Sequence, residues 1–469
     1  MDYRIRKESW DRRLRRFWRM YRRLILTAVG MITVIVVLVA TTGKCSCSCS
    51  HEEEIKETPK KVEIAALGSR LTNEMSSFEG VERMDRDVRE FMQYWHLKGM
   101  QLSVMRNDSL LFSKGYGNAD TLVAMTPGHI LRVASVSKLI TAVGIMKLQE
   151  EGKLKLGDKV FAEGGILADK PYTESIKDPN YYRITVEDLL RHRAGFHAGA
   201  SDPLFSTLTI IQQNHLAAPP TADELLTILL RKSLPGEPGV TKDYSNVGYL
   251  ILSLIIEEVS GMSYEDYIRY SVLYPAGCFG FRIARNYYNE RHPGEVRYYL
   301  TKDDKPVEEF NGSGRMVDRC YGGNDITFLS GAGAWVASSA DLARFVASID
   351  GRDGVHDILS RESVRKMTEY LGEETYSIGW NETDPEKGWL RTGTLSGTSA
   401  FIKYFPDGEC WVMITNTSTW KGPRFPHVSK GTSELYDKLR SRYSSKLPRQ
   451  DLFAKLPHGI PTSLARLLD

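Results

Sequence analysis

The sequence predicts an α+β fold: an antiparallel sheet built from both chain ends and flanked by helices, with a mostly helical second lobe and a preceding N-terminal transmembrane helix. Strand–turn–strand patterns occur near both ends of the folded part, at residues 101–117 and 400–416. Between about residues 120 and 330, helix and loop patterns dominate. A charge-free stretch follows the basic N-terminus.

The N-terminal arm, residues 1–23, holds the excess positive charge of the chain. It contains ten Arg or Lys residues and three acidic residues, a net charge of +7, whereas all 469 residues together carry +3. The rest of the chain is therefore net negative, at −4. Because the basic residues are confined to one short arm, they do not indicate a nucleic-acid partner.

Residues 24–42 are predicted to form a transmembrane signal-anchor. Residues 24–40 carry no charge, and with two further threonines they reach the length that crosses a bilayer. Arg22 and Arg23 predict a cytoplasmic N-terminus, so the rest of the chain is expected outside the cytoplasm, on the periplasmic side in a bacterium. Lys44 stands where a lipoprotein signal requires a small residue, which favours an uncleaved anchor over a cleaved signal.

Residues 43–80 are predicted to be a stalk, residues 81–446 the folded domain and residues 447–469 a tail. The stalk begins with an alternating cysteine trio, which fits acylation, metal binding or a spacer of small residues: Cys45, Cys47 and Cys49. The spacer is favoured because no His or Cys partner lies at zinc spacing.

The folded domain begins and ends with a helix next to a hairpin. Apolar residues at helical spacing predict both helices: Val81, Met84, Val88, Met92 and Trp95 in the first, and Leu435, Leu439 and Tyr443 in the last. The first hairpin turns at Asn107–Asp108 and the second at residues 406–408. This arrangement predicts one antiparallel sheet assembled from both chain ends.

The segment VASVSKLITAVGIM, residues 133–146, predicts a buried helix that contains one charge, Lys138. Its apolar residues occupy all sides of a 3.6-residue helix, a pattern typical of burial. Ser135, three residues before Lys138, shares a face with it. Burial lowers the pKa of an amine, so a neutral Lys138 could take the proton of Ser135 and turn this hydroxyl into a nucleophile.

Two further S-x-x-K matches occur, in SVRK (363–366) and STWK (418–421). The first lies in a charged amphipathic segment and the second in a loop after a strand. Because only Ser135 and Lys138 begin an apolar helix, they are the predicted pair.

The order of motifs resembles the serine β-lactamases and penicillin-binding proteins, in the branch of class C β-lactamases, D-alanyl-D-alanine carboxypeptidases and related esterases. The matching segments are Ser135-x-x-Lys138, ITVEDLLRHRAGF (184–196), Tyr244-Ser245-Asn246, GAGAWVASSADLARFV (331–346), YSIGW (376–380) and RTG (391–393). The resemblance spans roughly residues 81–445 and implies a β-lactamase/transpeptidase-like fold.

The resemblance also implies the catalytic residues Ser135, Lys138 and Tyr244. Ser135 would attack a carbonyl and become acylated. Lys138 and Tyr244 would share the work of the base, because nearby cations let a phenol lose its proton well below its usual pKa of about 10. Tyr244 could then return a proton to the departing atom or activate water.

Five residues are implied in substrate binding: Asn246, Arg391, Thr392, Gly393 and Thr394. Asn246 would hold the lysine and a substrate amide, and the backbone N–H groups of Ser135 and Thr394 would bind the oxyanion. The family usually has Lys or His in place of Arg391. Since arginine stays charged and offers a planar fork, we expect it to recognise an anionic acyl substrate rather than to shuttle protons.

The sequence therefore predicts a membrane-anchored, extracytoplasmic serine acyl hydrolase acting on D-alanyl peptides of the cell wall, β-lactams or small esters. The alternative is a penicillin-binding-like sensor or scaffold that binds such ligands without efficient turnover. His192 and His197 have no acidic partner at ligand spacing, so neither a metal nor a cofactor is predicted. The expected partners are a small-molecule or peptide substrate and, through the N-terminal helix, a membrane.

Overall fold

The computed structural model describes residues 70–196, 202–300, 304–372, 375–418 and 425–454. The chain divides into two units, Met1–Val62 and Glu63–Asp469, and every described residue belongs to the second. The predicted basic arm, transmembrane segment and most of the predicted stalk and tail lie outside the described residues.

A membrane-spanning helix is not found within the described part, where no single helix is long and apolar enough. The segments Asn246–Ser260 and Tyr264–Leu273 pass the length and composition test only as a pair, bent by 78°.

Most described strands form one antiparallel sheet. Its strands are β1 (Gly99–Arg106), β2 (Ser109–Asp120), β3 (Val123–Ala124), β9 (Glu382–Asp384), β10 (Gly388–Leu395), β11 (Thr398–Tyr404) and β12 (Glu409–Thr415), in the order β3-β2-β1-β12-β11-β10-β9. The other strands form two small sheets, one of β4 (Leu131–Arg132), β8 (Trp335–Ala337) and β5 (Arg282–Ile283), and one of β6 (Val307–Glu308) and β7 (Met316–Val317).

The helices flank this sheet and fill the middle of the chain. They are α1 (Val81–Tyr94), α2 (Ser137–Glu150), α3 (Val186–Leu190), α4 (Thr207–Asn214), α5 (Ala222–Leu230), α6 (Asn246–Ser260), α7 (Tyr264–Tyr267), α8 (Ser330–Gly333), α9 (Ser339–Ala347), α10 (Arg361–Thr368) and α11 (Phe425–Tyr443). The predicted α+β fold is confirmed.

The two chain ends meet at the centre of the sheet. β1 and β12 are neighbours, with Met100 opposite Thr415 and Arg106 opposite Glu409. Side chains alternate along β12: Trp411 packs with α1 and α11, whereas Ile414 packs into the larger core on the other face. The sheet therefore separates two apolar layers, each closed by helices.

The two terminal helices are linked across their polar faces. The Asp87 carboxylate of α1 lies 2.9 Å from Lys438 Nζ and accepts a hydrogen bond of 3.0 Å from the Tyr443 hydroxyl, both from α11. Leu435 and Leu439 of the predicted last helix are buried against the sheet. These contacts hold the sequence-distant helices on the same face.

The helix that carries Lys138 is buried on nearly all sides, but it begins later than the apolar pattern suggests. α2 starts at Ser137, and residues 134–136 form a separate 3₁₀ turn that contains Ser135. Ala134 has φ of +50°, a left-handed conformation that costs a non-glycine residue about 1–3 kcal/mol. Residues 131–140 are buried except Ser135, which this turn leaves partly exposed.

We predict that Ile414→Ala lowers the free energy of unfolding by about 2–5 kcal/mol, because the shorter side chain leaves a cavity in the core. Ile414 lies on β12, where the two ends of the folded domain pair. Ile414 is fully buried between Gln101 of β1 and Ala400 of β11. Denaturant unfolding of the two proteins measures the difference. The control is Met316→Ala, because Met316 is 64% exposed and should change stability by no more than about 0.5 kcal/mol. Equal effects of the two substitutions would contradict the prediction.

Candidate active site

Lys138 and Ser135 face each other at the start of α2. Lys138 Nζ lies 3.2 Å from Ser135 Oγ, 2.6 Å from Asn246 Oδ1 and 2.7 Å from the backbone oxygen of Ala332. The lysine is fully buried. An ammonium has three N–H donors, and these three acceptors from three chain segments match them.

The surroundings of Lys138 lower its pKa. Burial is the main cause, the negative charge that Tyr244 can carry opposes it, and the Arg391 guanidinium lowers the pKa further. Asp202 acts in the same direction as Tyr244 and raises it. The buried amine is therefore easier to deprotonate than a surface lysine, yet it retains contacts that favour its charged form.

Tyr244 lies beside this pair, just before α6. Its ring centroid is 4.8 Å from Lys138 Nζ. Burial alone would raise the pKa of the phenol, but the charges of Lys138 and Arg391, with hydrogen bonds involving Lys138 and Ser135, hold it below its usual value. The structure thus brings Tyr244 within reach of Ser135.

The helix α6 fixes both Tyr244 and Asn246. Ser245 is its N-cap, and the Ser245 side chain accepts a hydrogen bond of 3.2 Å from the backbone N–H of Gly248. Asn246 is the first helical residue, and its side chain points into the buried site. In the Tyr-Ser-Asn motif, Ser245 therefore caps the helix, Tyr244 immediately precedes the cap and Asn246 immediately follows it.

Arg391 is turned toward the nucleophile rather than toward solvent. It is 1% exposed, and its Nε donates a hydrogen bond of 2.9 Å to the backbone oxygen of Ser135. Its Nη2 donates to the same oxygen. Two guanidinium N–H groups are therefore used on the turn that carries Ser135, and the predicted role of Arg391 as a carboxylate ligand remains a prediction.

Gly393 lets strand β10 pass directly beside the Ser135 turn. A Cβ atom at this position would lie 2.4 Å from the backbone oxygen of Val133 and 2.7 Å from the backbone nitrogen of Ser135. Both are backbone atoms that cannot rotate away. Glycine is therefore required by this close approach, independently of its backbone angles.

The two threonines of the strand have different positions. The Thr392 backbone N–H and hydroxyl donate to Asn381 Oδ1, at 2.7 and 3.3 Å. Thr394 is half-buried and pairs with Ser399 of β11. Thr394 thus follows Gly393 on the strand, and Thr392 is hydrogen-bonded to Asn381. The structure brings six of the predicted site residues together: Ser135, Lys138, Tyr244, Asn246, Arg391 and Gly393.

A cavity of about 720 Å³ lies beside this site. Thr392, Asn381 and Tyr376 are among its lining residues. The Tyr376 ring centroid is 6.1 Å from that of Tyr244, and Lys242 Nζ lies 4.4 Å from the Tyr376 ring centroid. Tyr376 therefore lines the cavity and also lies next to Tyr244.

Two residues that the sequence did not assign to the site belong to it. Asp202 is 8% exposed, and its Oδ2 accepts a hydrogen bond of 2.7 Å from Asn246 Nδ2. His192 stacks on Tyr244 with ring centroids 4.3 Å apart, and its Nδ1 accepts from the Ser245 backbone N–H at 3.0 Å. The RHRAGF motif drew attention to His192, whereas nothing in the local sequence marked Asp202.

The electrostatic surroundings keep His192 neutral. Burial, and then the positive charges of Lys138 and Arg391, hold the pKa of its imidazole well below the usual value. Because Nδ1 accepts a hydrogen bond, the proton of the neutral ring is on Nε2. Within the described residues no group of three or more His, Cys, Asp or Glu side chains is arranged to hold a metal, and His197 lies outside them.

The two other S-x-x-K pairs lack comparable surroundings. In α10, Lys366 Nζ lies 3.3 Å from carboxylate oxygens of both Glu187 and Glu369, so it is an ion-pair partner on the surface. The Ser418 hydroxyl hydrogen-bonds with that of Ser399, and position 421 lies outside the described residues.

Comparison with known proteins identifies one family. The family model described as Beta-lactamase matches residues 84–427. Among curated proteins, Protein flp of Staphylococcus aureus (strain COL) is 24% identical over 351 residues, which cover 74% of this chain and 64% of that protein. This chain thus spans a little less than two thirds of flp. The putative penicillin-binding protein PbpX of Bacillus subtilis is 26% identical over 397 residues, 82% of this chain and 88% of PbpX.

A solved structure has the same fold. D-amino acid amidase from Ochrobactrum anthropi SV3, in complex with L-phenylalanine amide, aligns with a TM-score of 0.58 and 20% identity. The alignment covers 76% of this chain and 99% of the amidase.

We predict that Gly393→Ala reduces acylation of Ser135 by about 100-fold, because the methyl group would force β10 away from the Ser135 turn and displace reacting atoms by about 1 Å. Labelling rates with a serine-reactive phosphonate measure this loss. Gly157→Ala is the matched control, because its Cβ would meet no atom within 4 Å. A Gly393→Ala protein that is labelled as fast as the control would show that the close approach is not needed.

Proposed function

Because the chain belongs to the beta-lactamase family, we propose that it is a membrane-anchored serine acyl hydrolase that acts outside the cytoplasm through an acyl-enzyme on Ser135. The observation that carries the hydrolase part of this proposal is the fully buried Lys138, whose Nζ lies 3.2 Å from Ser135 Oγ. The membrane anchor and the action outside the cytoplasm rest on the sequence of residues 22–42. A buried ammonium is costly unless it is hydrogen-bonded. Its position next to a partly exposed serine is explained by activation of that serine.

The proposed first step is attack of Ser135 Oγ on a carbonyl carbon. Tyr244, ionised under the positive charges of Lys138 and Arg391, accepts the hydroxyl proton as the new ester bond forms. The backbone N–H groups of Ser135 and Thr394 bind the oxyanion. One such donor typically contributes a factor of about 10²–10³ in rate.

The acyl-enzyme forms when Tyr244 gives this proton to the departing nitrogen or oxygen, whose bond to the carbonyl carbon breaks. A water molecule that Tyr244 deprotonates then attacks the ester carbonyl. The C–Oγ bond breaks, and Ser135 recovers its proton. Asn246 holds Lys138 in its charged form throughout.

The proposed substrates are D-alanyl peptides of the cell wall, β-lactams and small esters. The amidase acts, by its name, on D-amino acid amides, and PbpX is named as a penicillin-binding protein; both names favour an amide-type acyl substrate. The cavity lined by Thr392, Asn381 and Tyr376 would take the part of the substrate beyond the reacting carbonyl.

The second candidate is a sensor or scaffold that binds such ligands without efficient turnover. It is favoured by Arg391, whose Nε and Nη2 are engaged by the Ser135 backbone oxygen. An arginine held in this way offers fewer N–H groups to a substrate carboxylate than the planar fork of a free guanidinium.

We predict that Ser135→Ala abolishes labelling by both a fluorescent penicillin and a fluorophosphonate, because it removes the atom that forms the covalent bond. Ser363→Ala, at the serine of another S-x-x-K match, is the matched control and should be labelled like the wild type. In-gel fluorescence measures labelling, and a thermal melt checks that Ser135→Ala remains folded.

Hydrolysis of nitrocefin, a D-Ala-D-Ala peptide and a p-nitrophenyl ester by the wild type then ranks the substrates. Labelling that persists in Ser135→Ala would overturn the proposed nucleophile. A wild type that binds penicillin reversibly but is not labelled by either probe would favour the sensor.

We predict that Arg391→Lys lowers acylation by a neutral ester and by an anionic amide to a similar extent, about tenfold. Lysine cannot reproduce the paired N–H groups that hold the Ser135 carbonyl, and one charge-assisted hydrogen bond is worth roughly 1.5–3 kcal/mol. Acylation rates with the two substrates measure the losses. A loss confined to the anionic substrate would instead assign Arg391 to carboxylate recognition.

The matched control is Arg352→Lys. Arg352 also uses Nε and Nη2, on the Tyr404 hydroxyl and the Pro406 backbone oxygen, both at 2.8 Å. None of the hydrogen bonds described for Arg352 involves a residue of the site. The Arg352→Lys protein should therefore be acylated at the wild-type rate.

A further inference from the structure

A chain of hydrogen bonds leads from Lys138 through Asn246 to Asp202. Lys138 Nζ donates to Asn246 Oδ1 at 2.6 Å, and Asn246 Nδ2 donates to Asp202 Oδ2 at 2.7 Å. All three side chains are buried. The amide of Asn246 therefore separates a cation from a carboxylate, and both are shielded from water.

Asp202 is held in place by the local sequence Asp-Pro-Leu. It is the N-cap of the 3₁₀ helix Pro203–Phe205, and its Oδ1 accepts a hydrogen bond of 3.0 Å from the Leu204 backbone N–H. One carboxylate oxygen thus caps a helix while the other faces Asn246. A helix cap alone does not require a buried carboxylate, since most such caps lie at the surface.

The two neighbours of Asn246 define the orientation of its amide. An ionised carboxylate only accepts hydrogen bonds and an ammonium only donates them. Only the orientation with Nδ2 toward Asp202 and Oδ1 toward Lys138 makes both contacts. Each neighbour holds one end of the amide, so the Asn246 side chain is fixed at both ends.

We propose that Asp202 is a positioning residue that fixes the Asn246 amide and thereby keeps the Lys138 ammonium charged beside Ser135. The effect of Asp202 on the reaction rate rests on the proposed function, in which Tyr244 ionises next to a charged Lys138. The hydrogen-bond chain itself is independent of any activity.

The charged and titratable groups around Lys138 come from four parts of the chain. Tyr244 precedes α6, Arg391 lies on β10, His192 follows α3 and Asp202 caps the 3₁₀ helix. Within α6, the Tyr249 ring centroid is 5.5 Å from Lys138 Nζ, and burial raises the pKa of this phenol, so it stays neutral. Burial and Arg391 lower the pKa of Lys138, whereas Tyr244 and Asp202 raise it, and His192 is neutral. Removing the charge of Asp202 therefore lets Lys138 lose its proton at lower pH.

The test is the pH profile of acylation of the full chain by a fluorophosphonate, with Asp202→Asn compared with the wild type. The alkaline limb reports loss of the Lys138 proton. In Asp202→Asn we expect this limb to move down by about one pH unit, the size of shift caused by removing one nearby opposite charge. A uniform loss of rate at every pH, with the limb unmoved, would overturn the proposal and assign Asp202 to helix capping alone.

The matched control is Asp178→Asn. Asp178 caps the 3₁₀ helix Pro179–Arg183 through the Asn180 backbone N–H at 3.0 Å, in the same Asp-Pro context. Its other described hydrogen bond is from the Leu234 backbone N–H. We expect the alkaline limb of this variant to stay at its wild-type position, and a shift equal to that of Asp202→Asn would overturn the proposal.

A crystal structure of Asp202→Asn decides the inference without any activity. We expect the distance between Asn246 Nδ2 and the side-chain oxygen of residue 202 to lengthen from 2.7 Å, because a neutral amide oxygen accepts a weaker hydrogen bond than a carboxylate. An unchanged contact would overturn the proposal. Failure of the wild type to react with any probe would overturn the proposed function, while this structure would still decide the role of Asp202.

Discussion

The site depends on one buried charge, the ammonium of Lys138. A full charge removed from water is stable only when protein groups replace its hydration, and the acceptors come from Ser135, Asn246 and the backbone of Ala332. These groups belong to the turn before α2, to the start of α6 and to α8. The requirement to satisfy one lysine thus fixes three segments that are far apart in the sequence, and places the serine where its hydroxyl can be activated.

The sheet supplies the fourth side of the site. β10 pairs with β11 at residues 389–395 but with β9 only at residues 388–390. The part from Arg391 onward therefore faces the Ser135 turn instead of another described strand. Gly393 permits the approach and Arg391 secures it through the Ser135 carbonyl. The strained Ala134 conformation is held by the same contacts, because a turn that cost 1–3 kcal/mol would relax without a rigid strand beside it.

The sequence predicted those features that local patterning controls. The hairpin that turns at Asn107–Asp108 and the Ser135–Lys138 pair follow from residue spacing within short segments. The start of α2 was placed two to four residues early, because apolar residues in the 3₁₀ turn continue the helical pattern. The direction of Arg391 depends on a contact with a residue 256 positions away, and the role of Asp202 on a contact with one 44 positions away. No local pattern reports such contacts.

Arginine at position 391 determines which groups can move protons here. Its charge persists at every accessible pH, and it lowers the pKa of both Lys138 and Tyr244. Burial and the positive charges of Lys138 and Arg391 keep His192 neutral. Among the described cations that face Ser135, Lys138 is therefore the one whose charge can change with pH. Because the charged forms of Lys138 and Tyr244 stabilise each other, Tyr244 can exchange a proton with Ser135 while Lys138 stays charged, and Arg391 provides a constant electric field around both.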